Sequence, residues 1–175
     1  MQTLYTIGHS TRTIEDFLDL LTAYDIQDLV DVRTIPQSRR HPQFGRDLLP
    51  TTLEHAGITY THLKQLGGLR HPTKDSINTG WRNLSFRGYA DYMATDAFQE
   101  GLQALTAIAE KNTTAIMCAE AVPWRCHRSL IADALTEQGW HVVHILSNTT
   151  AKPHERTPFL TVQNGKLIYP APERG

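Results

Sequence analysis

Residues 113–139 read TTAIMCAEAVPWRCHRSLIADALTEQG. Thr113 to Met117 have the composition of a buried strand, and the apolar spacing of Ser129 to Gln138 predicts a helix that Gly139 ends. A further strand is predicted directly afterwards, over His141 to Leu146. A strand that leads through a polar turn into a helix, and then into another strand, is the unit from which parallel α/β sheets are built.

The same alternation precedes this stretch. Apolar runs predict strands over 4–7, 28–32 and 58–63, and a helix is predicted over 47–55. Another helix follows the first strand, where Thr13 and Asp16 are placed like a capping box. We therefore predict a single α/β domain over residues 1–175, with three layers and a mostly parallel, Rossmann-like sheet flanked by helices.

Two segments depart from this pattern. Residues 64–87 lack helical or strand periodicity, which is typical of a loop that covers a binding site. The helical pattern resumes over 89–111 and is expected to break near Thr95, with Asp96 capping its second half. Near the C-terminus, Asn164-Gly165 between two short apolar runs predicts a β-hairpin.

The composition favours a soluble protein. The chain has 175 residues with a hydrophobic fraction of 40%, enough for one core. No apolar window approaches the roughly 20 residues of a membrane span. No basic segment followed by a long hydrophobic stretch opens the chain, so we expect a cytoplasmic protein without a membrane partner. In that compartment its two cysteines are expected to be free thiols.

The charge is unevenly distributed. The net charge is −1, yet residues 33–87 hold nine Lys or Arg side chains against three Asp or Glu. Arginine presents a fork of donors that matches phosphate oxygens. A phosphate-bearing small molecule or a nucleic acid is therefore an expected partner, and a merely solvated face is the alternative.

The polar turn at 118–128 is the predicted site, because ligands of parallel α/β sheets bind where the strands end and helices begin. Glu120 is a candidate acid, base or nucleophile, with a structural salt bridge to a nearby arginine as the alternative. His9 follows the first strand in the analogous place and could meet Glu120 if the two strands are neighbours. A histidine that only stabilises its turn explains it equally well.

Cys126 and His127 complete the candidate catalytic set. A thiol near a helix N-terminus, beside His127 and Arg128, has a lowered pKa, although a buried structural thiol fits as well. The spacing from Cys118 does not match a tyrosine-phosphatase loop, because the position that needs arginine holds Trp124. Adjacent side chains such as Cys126 and His127 seldom ligate one ion, so neither a metal nor a cofactor is expected.

Substrate-binding candidates come from the segments that would surround this turn. Arginines and glycines are suited to hold an anion and to let the backbone approach it. The predicted set is Ser10, Arg33, Arg39, Gly67, Gly68, Arg70, Cys118 and Arg128.

Several short motifs carry a resemblance to a known family. They are Thr6-Ile7-Gly8-His9-Ser10, Asp31-Val32-Arg33 with Pro36 and Ser38-Arg39, Leu66-Gly67-Gly68, and Met117-Cys118-Ala119-Glu120 leading to Cys126-His127-Arg128. Together they resemble the family catalogued as domain of unknown function 488, and the region 81–93 fits its Tyr-Ala-x-Tyr-Met pattern. The resemblance implies a compact α/β domain with a shared polar site and brings no reaction with it.

The leading hypothesis is an enzyme, a hydrolase or transferase, that acts on a phosphate-bearing nucleotide or nucleic-acid substrate. Glu120 and His9 would then be the acid and base, and arginines would hold the anion. The alternatives are a non-catalytic nucleotide-binding or nucleic-acid-binding module, and a cysteine-based transferase or redox protein that depends on Cys126. The oligomeric state does not follow from the sequence.

Overall fold

A six-stranded sheet forms the centre of the computed structural model, which describes residues 2–172. Its strands are β1 (Thr3–Gly8), β2 (Asp28–Asp31), β3 (Thr59–His62), β4 (Thr114–Cys118), β5 (His141–Ile145) and β6 (Ala151–Pro153). They lie in the order β3-β2-β4-β1-β5-β6. The first five strands are parallel and β6 is antiparallel to β5. The prediction of a mostly parallel α/β sheet is confirmed.

Helices cover both faces of the sheet. They are α1 (Ile14–Ala23), α2 (Leu49–His55), α3 (Leu84–Tyr92), α4 (Asp96–Lys111) and α5 (Arg128–Glu137). Phe17 of α1 and Leu53 of α2 belong to one buried cluster, whereas α3, α4 and α5 contribute to a second cluster on the opposite face. Side chains of β1 alternate between the two clusters, as a strand buried on both faces requires.

Threonines cap the starts of α1 and α4, the second in place of the predicted residue. Thr13 caps α1, since its side-chain oxygen accepts the backbone N–H of Asp16 at 3.1 Å, as predicted. The predicted cap of α4 was wrong by one residue. Thr95 accepts the N–H of Phe98 at 3.3 Å, while Asp96 lies in the first turn of the helix.

The segment predicted as an irregular loop is partly helical. A short 3-10 turn covers Lys64–Leu66, and α3 begins at Leu84, where the Asn83 side chain caps it. Gly88 lets this helix pack against the loop, because a Cβ there would overlap the backbone of Arg70 and His71. A tightly packed α3 is what brings Phe86 and Tyr89 to the sheet edge.

The C-terminal hairpin is present as predicted. Strands β7 (Thr161–Gln163) and β8 (Lys166–Ile168) pair around Asn164 and Gly165, both with positive φ, as a primed turn requires. The segment is tied to α5 by Asp133, whose fully buried carboxylate accepts hydrogen bonds from His154, Thr157 and Tyr169.

Within residues 2–172, no helix combines the length and the apolar character needed to span a bilayer.

Candidate active site at the strand ends

The predicted site forms where β1, β2 and β4 end side by side. Gly8 at the end of β1 lies opposite Cys118 at the end of β4. The turn after β1 continues this pairing, because the backbone N–H of His9 donates to Cys118 O at 3.0 Å. A Cβ at Gly8 would overlap the carbonyl oxygen of Glu120. The segments that carry His9 and Glu120 are therefore neighbours, as expected, and their close approach depends on Gly8.

A cavity of about 310 Å³ opens at this edge. Six of the predicted site residues line it: Arg33, Gly68, Cys118, Glu120, Cys126 and His127. Its other walls come from α3 and from the turn after Gly68, through Phe86, Tyr89 and Leu69. A few polar groups thus line a largely apolar cleft, the usual composition of a small-molecule site.

The two thiols lie next to each other in this cavity. Cys118 is 2% exposed and Cys126 is 5% exposed, and both are free. Each thiol influences the ionisation of the other, and Cys118 Sγ donates to Glu120 O at 3.6 Å. Cys126 Sγ also lies 3.5 Å from the backbone N of Arg128, at the start of α5, and 3.5 Å from His127 Nδ1. Backbone and imidazole nitrogens therefore lie next to a pair of sulfurs that the cavity reaches.

Their surroundings shift the two thiols in opposite directions. Burial opposes ionisation of Cys118, but the hydrogen bond from Cys126 and the positive charge of Arg128 outweigh it and lower its pKa. Burial raises the pKa of Cys126, and the neighbouring Cys118 raises it further. The first proton to leave this pair is therefore that of Cys118, with the Cys126 thiol as its hydrogen-bond donor.

Arg128 lies behind the thiols rather than in the cavity. The side chain is fully buried, and its Nη2 donates to Ala121 O at 2.9 Å. Its Nε and Nη1 are buried without a hydrogen-bond partner, and Arg128 forms no salt bridge among residues 2–172. A buried guanidinium without a carboxylate favours an anion nearby, and the adjacent Cys118 thiolate is suited to that role.

His127 is held as a neutral acceptor. Its Nε2 lies 2.8 Å from the carbonyl oxygen of Val32, so Nε2 carries the proton and Nδ1 faces Cys126 with a free lone pair. The pKa of His127 is lowered to about 4, mainly by burial. Such a ring accepts a proton from a thiol only transiently, as a step in a reaction.

His9 does not line the cavity. Its ring stacks on Phe44 with 4.5 Å between centroids, and its Nδ1 lies 2.9 Å from Ser10 O. Burial lowers its pKa to about 4. The remaining nitrogen, Nε2, lies 3.4 Å from Arg33 Nη1 and therefore accepts from it. His9 thus orients Arg33, and its catalytic role stays a prediction.

Arg33 reaches the cavity with its charge largely compensated. Its Nε and Nη2 donate to the two carboxylate oxygens of Asp31 at 2.9 and 2.7 Å. Tyr60 donates to the same carboxylate at 2.6 Å, and this, after burial, raises the pKa of Tyr60. An anionic ligand would therefore meet a positioned donor at Arg33 rather than an unpaired cation.

The remaining predicted binding residues lie outside the lining. Arg39 is exposed on the following loop. Arg70 stacks over the ring of Tyr92, 3.6 Å from its centroid, and its Nε donates to Gly67 O. Gly67 packs against Thr34, and Ser10 adopts a left-handed turn with φ 49°. The predicted arginine cluster is thus not assembled around this cavity.

Several residues that line the cavity were not predicted from the sequence. Arg125, Thr34 and Leu69 carry no motif signal, and Leu69 adopts a left-handed backbone conformation with φ 58°. Tyr89 had a signal, because it opens the Tyr-Ala-x-Tyr-Met region of the family resemblance. Its hydroxyl donates to Leu66 O at 2.8 Å and fixes the turn beside the cavity.

Comparison with known proteins gives one family. The model described as Domain of unknown function DUF488 matches residues 13–135, which include β2, β4 and the whole polar turn. The match confirms the resemblance carried by the motifs. No curated protein and no solved structure matches the chain.

Proposed function

The chain belongs to the DUF488 family, and because this membership names no reaction we propose, from the cavity, that the protein is a cysteine-dependent enzyme of the transferase or hydrolase class. The observation that carries the proposal is the pair of thiols in the cavity, set against a buried arginine without a carboxylate partner. An ionised thiol is the attacking form of cysteine, and a nearby cation increases its population at neutral pH.

In this proposal Cys118 is the nucleophile. Sequence reasoning gave that role to Cys126 and a binding role to Cys118, but the opposite directions of the two pKa shifts favour the reverse. The Cys118 thiolate would attack the carbonyl carbon of an ester or thioester, so that a C–S bond to Cys118 forms, the bond to the alcohol or thiol part breaks, and that part leaves as its anion. Cys126 would stabilise the thiolate by its S–H group and donate to the sulfur again when the intermediate breaks down.

Glu120 is the proposed acid or base of the second step. Its side chain is exposed at the cavity rim, two residues from Cys118. From there the carboxylate can take a proton from an incoming water or alcohol, or from a second acceptor of the transferred group. His127 keeps Nδ1 toward Cys126 and helps to orient that thiol.

The walls of the cavity narrow the substrate class. Leu69, Phe86 and Tyr89 offer apolar contact area, while Arg33 and Arg125 present donors. A small molecule with an apolar or aromatic part and an anionic group fits this division. Two free thiols are also what a protein of the reducing cytoplasm would keep, and we propose that location.

A second candidate is the binding or hydrolysis of a phosphate-bearing nucleotide or nucleic-acid component without a covalent step. The donors of Arg33 and Arg125 in the cavity favour an anion at this edge, and the buried charge of Arg128 adds to the positive potential there. Glu120 would then activate water, or would be dispensable in a non-catalytic binding module. Thermal stability against nucleotides, oligonucleotides and inorganic phosphate tests this candidate, because a bound ligand raises the midpoint of unfolding.

Mass spectrometry with electrophilic substrates tests the main proposal. Aryl esters and thioesters with and without an anionic group are incubated with wild type, Cys118→Ser and Cys126→Ser. We expect an adduct on Cys118 in wild type and none on any residue of Cys118→Ser. Adducts that form equally in Cys118→Ser, or on Cys126 alone, would contradict the assignment. Glu120→Gln should accumulate the adduct, since only its breakdown is slowed.

A further inference from the structure

The second cysteine acts in the covalent step only as a hydrogen-bond donor, yet it lies beside the first in the same cavity. The chain holds two cysteines in all, and both lie at this one place. A buried thiol that serves only as a hydrogen-bond donor could be replaced by serine. Two adjacent thiols, one of them readily ionised, can also be joined covalently.

We infer that Cys118 and Cys126 form a peroxide-reactive pair, in which Cys118 is oxidised first and Cys126 resolves it to an intramolecular disulfide. The inference rests on the proposed function in one respect, since both need Cys118 to be the ionised thiol. It adds a second reaction, with hydrogen peroxide as the oxidant and a small dithiol as the reductant.

The reaction has two balanced steps. The Cys118 thiolate attacks one oxygen of hydrogen peroxide, so that the O–O bond breaks, an S–O bond forms, and hydroxide leaves. Cys118 is now a sulfenic acid. The Cys126 sulfur then attacks Cys118 Sγ, an S–S bond forms, the S–O bond breaks, and the Cys126 proton leaves with the oxygen as water.

The site supplies what each step needs. Arg128 holds positive charge behind Cys118 and favours its thiolate, the form that reacts with peroxide. For the second step, His127 Nδ1 lies 3.5 Å from Cys126 Sγ with a free lone pair, in position to take the proton. The pair is largely closed to solvent, but the cavity reaches both sulfurs and hydrogen peroxide is small.

The chain between the two cysteines can adjust to the bond. Residues 119–125 form a turn with a short 3-10 segment, Pro123–Arg125, and Trp124 is 65% exposed. A disulfide requires specific Cα and Cβ distances, and the exposed part of this turn around Trp124 can shift to meet them while Glu120 stays packed against Gly8. The new bond would hold this turn, including Glu120, against the end of β4.

Oxidation would switch the site off. The disulfide consumes the nucleophile, and it also removes the thiolate that accompanies the Arg128 charge. Reduction by a dithiol restores both. The covalent chemistry proposed above would therefore be reversibly sensitive to peroxide.

The test treats fully reduced protein with hydrogen peroxide and reads intact mass and peptide maps. Wild type should lose about 2 Da, the two thiol hydrogens, form a peptide that links Cys118 to Cys126, and recover its mass with dithiothreitol. Cys126→Ser should stop at a sulfenic acid that dimedone traps on Cys118. Cys118→Ser should show neither product at the same peroxide concentration.

Alkylation of the same samples separates this inference from the proposed function. If Cys118 alkylates at neutral pH but peroxide gives only sulfinic acid, or only disulfides between two chains, the inference is overturned and the proposed function stands. If Cys118 neither alkylates nor oxidises while the unfolded protein does both, the proposed function and this inference are both contradicted. Peptide mapping of wild type gives the same decision where a cysteine variant does not fold.

Discussion

The guanidinium of Arg128 is completely buried behind Cys118, and its charge is one of the influences that lower the pKa of this thiol. No carboxylate within residues 2–172 forms a salt bridge with Arg128. A charge kept in the interior without a partner is costly unless an anion forms beside it. The ionised Cys118 is therefore linked to the stability of the protein as well as to its chemistry.

Replacing Arg128 should raise the pKa of Cys118. In Arg128→Gln we expect this rise because burial then acts without the compensating charge of the guanidinium. The ultraviolet absorbance of the thiolate against pH measures it. Arg128→Lys keeps the charge and should raise the pKa less. Arg156→Gln, which removes an arginine from a surface pair with Glu137, is the matched control and should leave the titration unchanged.

The free energy of unfolding should begin to fall once the pH drops below about 6.5, because buried histidines resist protonation. Burial lowers the pKa of His9 and His127 to about 4 and that of His144 to about 3, against 6.5 for a free histidine. The unfolded chain therefore binds more protons below pH 6.5, so stability is complete above this value and is lost as the pH falls towards 4.

Each of these histidines should lower the free energy of unfolding by about 1–2 kcal/mol as the pH falls from about 7 to 5. Urea unfolding at each pH measures this loss. His144→Gln should make the free energy of unfolding depend less on pH, although the hydrogen bonds of His144 to Thr6 and His154 are lost too. The exposed His141 provides the control, and His141→Gln should not change the slope. An unfolding free energy that is constant over this range would contradict the burial of neutral rings.

Gly8 should tolerate no side chain. Alanine there would force Glu120 and the turn after β4 away from β1, because its Cβ overlaps the Glu120 carbonyl. We expect Gly8→Ala to lose about 3 kcal/mol or more of unfolding free energy, in the range of severe core overpacking. Gly45→Ala is the control, since Gly45 has φ −77° and its nearest neighbour would be 3.2 Å away. Equal stability of the two variants would show that the turn moves freely.

Asp133 should prove a major anchor of the C-terminal segment. Its buried carboxylate accepts from the hydroxyls of Thr157 and Tyr169 at 2.7 and 2.9 Å, and from His154 Nε2 at 2.7 Å. Asp133→Asn replaces one acceptor oxygen by a donor and should cost about 2–4 kcal/mol by thermal or urea unfolding.

Limited proteolysis of Asp133→Asn should show faster cleavage within 150–172. Glu137→Gln, on the same helix but in a partly exposed pair with Arg156, is expected to cost less than about 1 kcal/mol. Similar costs for the two variants would contradict the anchoring role.

Most of the sheet could be predicted from sequence, because buried parallel strands are short continuous apolar runs. The strand predicted over 113–117 is observed as Thr114–Cys118. Strand β6 was missed, since Ala151–Pro153 is short, polar and ends in proline. Helix α3 was predicted to start later, because its first turn holds polar residues and its position depends on contacts with residues 70–71.

The site was predicted in part for a similar reason. The ends of parallel strands meet at one edge, so the segments after β1, β2 and β4 had to be neighbours. Side-chain direction does not follow from this rule. Arg128 lies one residue after His127, yet it is buried beneath the turn while His127 lines the cavity. The pairing of Arg33 with Asp31, which compensates its charge, also depends on tertiary contacts.

The most direct test of the account is the rate at which iodoacetamide alkylates Cys118 as a function of pH, with each cysteine followed by peptide mapping. We predict a rate that reaches half its maximum below the ordinary thiol value of 9.0, and that Cys126 reacts only at higher pH. A Cys118 rate that rises only above that value, or a Cys126 that reacts first, would contradict the claim that Cys118 is the activated thiol.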